Sequence, residues 1–416
     1  MATPSLAALK SAFSNRNYAV YTAGNWLSLL GFWMQRLAVS WLTWELSHSE
    51  FWVGAVAFAE IVPLIVVGPL FGVWADRLDR RKIAMALQAA MLLQALTLFG
   101  ALRLGWLGIG WLFTLTLIEG SLQAAYQPVR LALIPTLVRR SDLVAAAAFT
   151  AVTFNVARFL GPAIAGVVIA WSSPAWAILF NAVSYLCIIG AWWLIDLPEE
   201  TGQRAPSRGL GRDLWSGVLY VWREPALALL FGVLMLLALF ARPVTYLLSA
   251  FVGTLYDGGP QALALLTAAV GVGAVLAGLQ LSLQGETRGL VRAILCNSLL
   301  TLVSLLAFAY CTDLWLGAVL MLLFGYSVTV AAVAGQTLVQ HSVEDQSRGR
   351  VLSLWVAATR GPPALGVLLL GSLATWWGLS LPFLLATGLC LIGLLLLWRG
   401  QAVMREHFEE EHSAPS

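Results

Sequence analysis

The sequence predicts an all-α membrane protein of twelve transmembrane helices arranged as two pseudo-symmetric six-helix bundles. Three observations lead there. Sixty per cent of the 416 residues are hydrophobic and 11% are charged, whereas soluble globular domains carry about a quarter charged residues. The apolar residues fall into blocks of roughly 20, the length that crosses about 30 Å of hydrocarbon. Features of the first half return in the second at a half-length offset. Lipid offers no partner to backbone N–H and C=O groups, so the blocks must be helices. The alternating pattern of a transmembrane barrel is absent.

Six spans are read at about 19–44, 52–75, 83–104, 110–128, 143–170 and 176–196, and six more at about 227–253, 261–283, 292–311, 314–337, 351–375 and 381–398. Residues 1–197 then form an N-terminal bundle and 226–399 a C-terminal one, with a cytoplasmic tail over 400–416. The 198–225 linker opens with Gly, Pro and charge and closes with a short amphipathic stretch, Asp213–Trp222, suited to a membrane surface. The N-terminus has too short an apolar stretch for a cleavable signal peptide. The tail, rich in Glu and His, is expected to be solvated and disordered.

Charge sets the expected orientation. Of 24 lysines and arginines, 19 fall in the N-terminus, the even-numbered loops and the C-terminus; four lie inside spans, and only Arg103 falls on the other side. The positive-inside rule therefore puts both termini in the cytoplasm, in a bacterial inner membrane. Tryptophans cluster at span ends: Trp44, Trp106, Trp171 and Trp376 at the expected outer interface, Trp192, Trp193 and Trp355 at the inner one. They read as interfacial anchors. The four scattered cysteines lack metal-ligand spacing and read as small hydrophobes.

The repeat is visible in two segments. Span 1 carries Arg36 in LLGFWMQRLAVSWL and span 7 carries Arg242 in LLALFARPVTYLL, an offset of 206. Span 5 has Arg158, Gly161–Pro162 and Gly166; span 11 has Arg360, Gly361–Pro362 and Gly366, the Gly–Pro pairs being 200 apart. Such similarity is what duplicated bundles leave behind.

After span 2 comes GPLFGVWADRLDRRK, Gly68–Lys82. Gly68 and Gly72 make a small-residue packing face, Asp76 can meet the positive end of a helix, and Arg77, Arg80, Arg81 and Lys82 hold the loop inside. The segment resembles the loop 2–3 signature of the major facilitator superfamily, with Asp79 where that family often has Gly. Together with RFLGPAIAGVV in span 5 and SRGRVLSLW entering span 11, it is similar to the enterobactin-exporter and macrolide-efflux branch. The resemblance implies a secondary transporter working by alternating access. It assigns gating roles to Gly72, Asp76, Arg77 and Arg80, and conformational ones to Gly161 and Pro162. It also places spans 1, 4, 7 and 10 around a central cavity. Span 4 departs from the family in lacking its frequent Arg; Glu119 is its charge.

Arg36, Glu60, Glu119, Arg158, Arg242 and Arg360 fall near mid-span, each costing about 2.5–3.5 kcal/mol on an insertion scale, so they should face protein or a wet cavity. Thr116, Glu119, Gln123 and Gln127 form a polar stripe on span 4. Asn25 and Arg36 share a face of span 1, from which Gln35 points partly away. Spans 2 and 11 pack together in the resembling fold, so Glu60 and Arg360 are expected to pair. Pro63 should open a carbonyl one turn back. These residues suit an anionic or acceptor-rich amphipathic solute, siderophore- or drug-like, with Glu119 taking up a proton from outside as the solute leaves. A structural role for buried Arg–Glu pairs is the plainer alternative. Lysophospholipid or another solute is the alternative cargo, and a non-transporting scaffold or receptor the remoter one. The four histidines lie in loops or the tail and no phosphate-binding loop occurs, which argues against an enzyme or an ATP-driven pump. No cofactor, metal or nucleic acid is expected; the partners are solute, protons and lipid, and the carrier is expected to be monomeric.

Overall fold

The computed structural model describes residues 11, 13–75, 79–196, 210–256, 258–284, 289–343 and 345–410. The described residues are helical apart from short connections, and the helices are α1 (Arg16–Ser47), α2 (Glu50–Ala75), α3 (Arg80–Arg103), α4 (Ile109–Leu133), α5 (Leu143–Trp171), α6 (Pro174–Leu194) and α7 (Leu210–Arg223). Next come α8 (Pro225–Leu236), a π-turn (Leu237–Ala241), α9 (Val244–Leu255), α10 (Pro260–Gln284) and α11 (Leu290–Phe308). The series ends with α12 (Leu314–Ser342), α13 (Asp345–Trp377), α14 (Ser380–Trp398) and α15 (Gln401–Arg405). Ten segments among the described residues are long and apolar enough to cross a membrane, α8 to α9 counting as one. The helices α1 and α4 are long enough, at 32 and 25 residues, but more polar. They carry Arg36 and Glu119.

The chain divides into two compact units. One comprises Met1–Ser47 and Ala59–Pro206; the other His48–Phe58 and Ser207–Ser416. The division passes through α2, not only through the linker. In the first unit α1 packs on α6 and α5, and α3 on α6 and α4. In the second α10 and α12 are tightly apposed, α12 packs on α11, and α13 lies on the π-turn and on α7.

Prolines inside the helices organise these contacts. A proline has no N–H for the carbonyl four residues back, and the freed oxygens lie where another helix comes close. Pro63 frees Ala59 O, and Gly120 of α4 lies so near that a Cβ there would be 3.1 Å from it. Pro128 of α4 frees Ala124 O, over which Gly68 of α2 sits, 3.5 Å from its would-be Cβ. The two helices therefore meet reciprocally, each glycine on the other's open carbonyl. Pro243 frees Leu239 O at the π-turn, against which Gly366 of α13 packs. Pro363 frees Thr359 O, which accepts a hydrogen bond from Arg242 Nη1 at 3.0 Å. Three of the freed oxygens thus face closely packed glycines and the fourth meets a charged donor.

Several sequence expectations change. Asp79, the departure from the family pattern, is the N-cap of α3: its Oδ1 accepts from Arg81 N at 3.0 Å and Lys82 N at 3.1 Å. Arg81 Nη2 ties the same loop to Trp193 O at 2.6 Å. Trp44, Trp192 and Trp355 are core residues, 7%, 0% and 5% exposed, because neighbouring helices cover them. Trp106, Trp171, Trp193 and Trp376 stay exposed. Helix α7 runs beyond the expected amphipathic stretch, and Gly217 on it packs against the Arg350 carbonyl of α13.

The tail over 401–410 is not disordered. It continues as α15 and a π-turn, and it buries Met404 and Phe408 because both apolar side chains find a hydrophobic seat. Glu409 Oε1 accepts from Val291 N at 3.1 Å, at the otherwise uncapped start of α11. A carboxylate there satisfies an orphan donor and meets the positive helix end. Replacing Glu409 with Gln should cost about 1 kcal/mol and speed amide hydrogen exchange at Val291, leaving α12 unaffected. Unchanged exchange would show the tail to be no cap.

Candidate substrate and coupling site

The site is built from the helices of the first unit. His48 and Ser49 alone separate α1 from α2, so the two run antiparallel as neighbours. Arg36 and Glu60 each lie 12 residues from His48, about 18 Å along a helix at 1.5 Å per residue, and so reach the same depth. They form an ion pair, Arg36 Nε to Glu60 Oε1 at 3.0 Å, with each side chain 25% exposed. Glu60 thus has a partner in Arg36, a pairing that setting it opposite Arg360 did not include.

Glu119 is buried on α4, and Gln35 is completely buried between α4 and α6. Gln35 Nε2 donates to Glu119 Oε2 at 2.9 Å, while Gln35 Oε1 accepts from Asn181 Nδ2 at 2.9 Å. Ser184 Oγ in turn donates to Asn181 O at 2.7 Å. Each amide in this chain donates toward the Glu119 carboxylate, so the ordered dipoles favour an acceptor there. Far from pointing away, Gln35 is the centre of the network. Tyr185, fully buried on α6, lies close enough to feel Glu119, Gln123 and Asn181, yet its hydroxyl is aligned for a hydrogen bond with no described residue. Gln123 is half-buried one turn beyond Glu119 on α4.

Trp33 joins the two arginines. The Arg36 guanidinium carbon lies 4.9 Å from its ring centroid and that of Arg158, on α5, lies 5.9 Å away. Both distances are within cation–π range. The indole N–H is buried and has no hydrogen-bond partner among the described residues. Buried donors without an acceptor are rare and call for an explanation. Gly161 brings α5 this close, since a Cβ there would stand 2.5 Å from Trp33 Cβ. Pro162 beside it is also buried.

The remaining predicted residues are placed elsewhere. Asn25 is buried on α1, where its Oδ1 accepts from Tyr21 Oη at 3.3 Å, and so faces an aromatic cluster. Arg242 sits just after the π-turn of the second unit and serves the Thr359 carbonyl. Arg360 follows Thr359 on an exposed face of α13. Gly72 is on α2 and Arg80 opens α3; Asp76 and Arg77 lie outside the described residues. Among the described residues no cluster of His, Cys, Asp or Glu is arranged to hold a metal. Sequence reasoning missed Trp33, Asn181 and Tyr185. Their signal was only partial, for Trp33 lies one turn from Arg36, and the two polar residues stand four apart in an apolar helix.

Comparison with known proteins bears on what such a site serves. The family model described as "Transmembrane secretion effector" matches residues 7–416. The staphyloferrin A transporter of Staphylococcus aureus is 23% identical over 369 residues, covering 87% of this chain and 91% of its own. The enterobactin exporter EntS of Escherichia coli is 27% identical over 377 residues, covering 85% and 83%. Among solved structures, a bacterial homologue of the lysosomal transporter Spinster, inward-facing and unoccupied, superposes with a TM-score of 0.72 at 13% identity over 96% of this chain and 99% of that one. An inward-facing bacterial homologue of the iron transporter ferroportin gives 0.69 at 15% identity, over 94% and 99%. At those identities the structures speak for the fold alone. With its multi-pass helical architecture and a family match over almost its whole length, the chain belongs to the transmembrane secretion effectors of the major facilitator superfamily, and is a transporter and not an enzyme.

Proposed function

We propose that this transporter exports an anionic, siderophore-like small molecule across the bacterial inner membrane by alternating access coupled to protons. The observation that carries the reading is the Arg36–Trp33–Arg158 cluster, which stands beside the Glu119 network in one unit. Two guanidiniums, an aromatic face and a buried N–H without an acceptor suit a carboxylate or phenolate carried on a planar group. The names of the two sequence relatives, a siderophore transporter and a siderophore exporter, support the same class. Glu119 exchanges a proton as the solute binds or leaves, and the Gln35–Asn181 chain holds it in place. The two halves, 1–197 and 226–399, are the moving parts, joined by the 198–225 linker. Asp76, Arg77, Arg80 and Gly72 gate them, and Arg242 and Arg360 are the second half's own candidates for solute or coupling. Both termini lie in the cytoplasm, and one chain suffices.

The test is flux in proteoliposomes. Efflux of a supplied siderophore should respond to an imposed pH gradient in wild type, and Glu119→Gln should retain gradient-free counterflow while losing that response. Equal gradient-driven flux in the two would remove Glu119 from the coupling. No saturable flux of any anionic siderophore would remove the substrate class.

A further inference from the structure

A second cationic site lies at the far end of α4 from its start at Ile109, the end that the positive-inside reading turns to the cytoplasm. Arg130 stands in the last turn of α4, not in the loop, and is half-buried. It takes part in no ion pair among the described residues. Its hydrogen bond runs from Nη2 to the neutral Gln127 Oε1 at 2.7 Å, and its Nε is buried with no partner. Asp142, a buried acid at the start of α5, is held by Ser11 and Ser141 instead.

The surroundings of Arg130 are aromatic and amide. Tyr126 stands one turn before Arg130 on the same face of α4, and it lies buried in one cluster with Tyr21, Val129 and Trp192. Trp192 Nε1 donates to Tyr126 Oη at 3.3 Å, and its ring lies 5.1 Å from that of Tyr21. Gln88, 2% exposed on α3, leaves its Oε1 unpartnered. A guanidinium in such a setting, with a donor to spare and no carboxylate, is stabilised most by an anionic oxygen group.

We propose that Arg130, with Gln127 and the Tyr21–Tyr126–Trp192 cluster, forms an anion-binding vestibule separate from the Arg36–Arg158 cluster. It engages a carboxylate or phosphate group at the inner mouth. The group belongs either to the solute on its way in or to a lipid headgroup. The inference rests on the proposed transport of an anionic solute for its purpose, but not for its chemistry.

Purified full-length protein in detergent would be titrated with sodium benzoate or inorganic phosphate against chloride of equal ionic strength, reading the unfolding midpoint, since a ligand of the folded state raises it. A charge-assisted contact predicts that Arg130→Gln weakens apparent affinity about ten- to a hundredfold. Arg130→Lys, which keeps the charge without the fork, should fall between and serves if the first variant does not fold. Arg103→Gln, exposed in the last turn of α3, is the control and should respond to the probe as wild type does, while Arg158→Gln reads benzoate at the core cluster. Native mass spectrometry with phosphatidylglycerol separates the sources: adducts lost in Arg130→Gln, with no response to benzoate, assign the site to headgroups. If both Arg130 variants match wild type towards benzoate, phosphate and phosphatidylglycerol, the vestibule does not exist. If benzoate binding is lost only in Arg158→Gln, the vestibule fails while the proposed core site stands. If it is lost only in Arg130→Gln and no anionic siderophore is transported, the vestibule stands while the transport reading fails.

Discussion

Arg36→Gln should cost about 3 kcal/mol of stability and abolish transport. Removing one member of a buried ion pair leaves the other charged with nothing to meet it, an effect of about 3–5 kcal/mol in protein interiors. The lower end applies because both side chains are a quarter exposed. The variant also withdraws one of the two guanidiniums from Trp33. Glu60→Gln should be milder, since Arg36 keeps its aromatic contact. The double variant Arg36→Gln/Glu60→Gln should recover most of the lost stability, because no charge is then stranded. It should not recover transport. The measurements are the unfolding midpoint in detergent and flux in proteoliposomes. A double variant that regains both would make the pair a structural staple and take Arg36 out of the solute path.

That distinction matters because the arrangement of the site was only partly legible in the sequence. Charges in apolar blocks were readable one by one, because each contradicts its surroundings, and the pairing of Arg36 with Glu60 was within reach. Two helices joined by a two-residue turn must be antiparallel, so equal distances from the turn imply equal depth. The expectation from the resembling fold, that spans 2 and 11 pack together, set Glu60 opposite Arg360 and passed over Arg36 as a partner. Gln35 was misjudged for another reason. A helical wheel gives the angle of a residue but not which neighbour stands there, and α6 supplies Asn181 from 146 positions away.

The fold was legible for simpler reasons. Spans of the right length have one solution in lipid, and the ends of α3, α6 and α12 carry Asp79, Pro174 and Asp313, residues that start helices. The tail misled because its composition is polar. Yet Met404 and Phe408, four apart, fall on one face of a short helix and suffice to seat it. The three buried tryptophans misled in the opposite sense. A tryptophan at a span end meets either the interface or the next helix, and only the packing decides.

The packing of α1 on α5 carries the second large effect. Gly161→Ala should destabilise the transporter by about 1–3 kcal/mol, the range for overfilling a packed contact, and reduce transport more than that loss of folded protein explains. The added methyl would stand 2.5 Å from Trp33 Cβ, 3.2 Å from Leu30 O and 3.4 Å from Met34 N. Two of these are backbone atoms and the third is fixed to backbone, so no rotamer change relieves the clash and the helices must separate. Separation moves Trp33, and with it the spacing of Arg36 and Arg158, on which an anionic group would depend. Gly100→Ala is the control. A Cβ at Gly100, in the interior of α3, meets nothing within 4 Å, so the same change should stabilise by about 0.5–1 kcal/mol through helix propensity. Unfolding midpoints of the two variants should therefore move in opposite directions from wild type. Full transport in Gly161→Ala, normalised to folded protein, would mean that the Trp33 geometry does not govern the solute step. The arginines would then have to act without the indole between them.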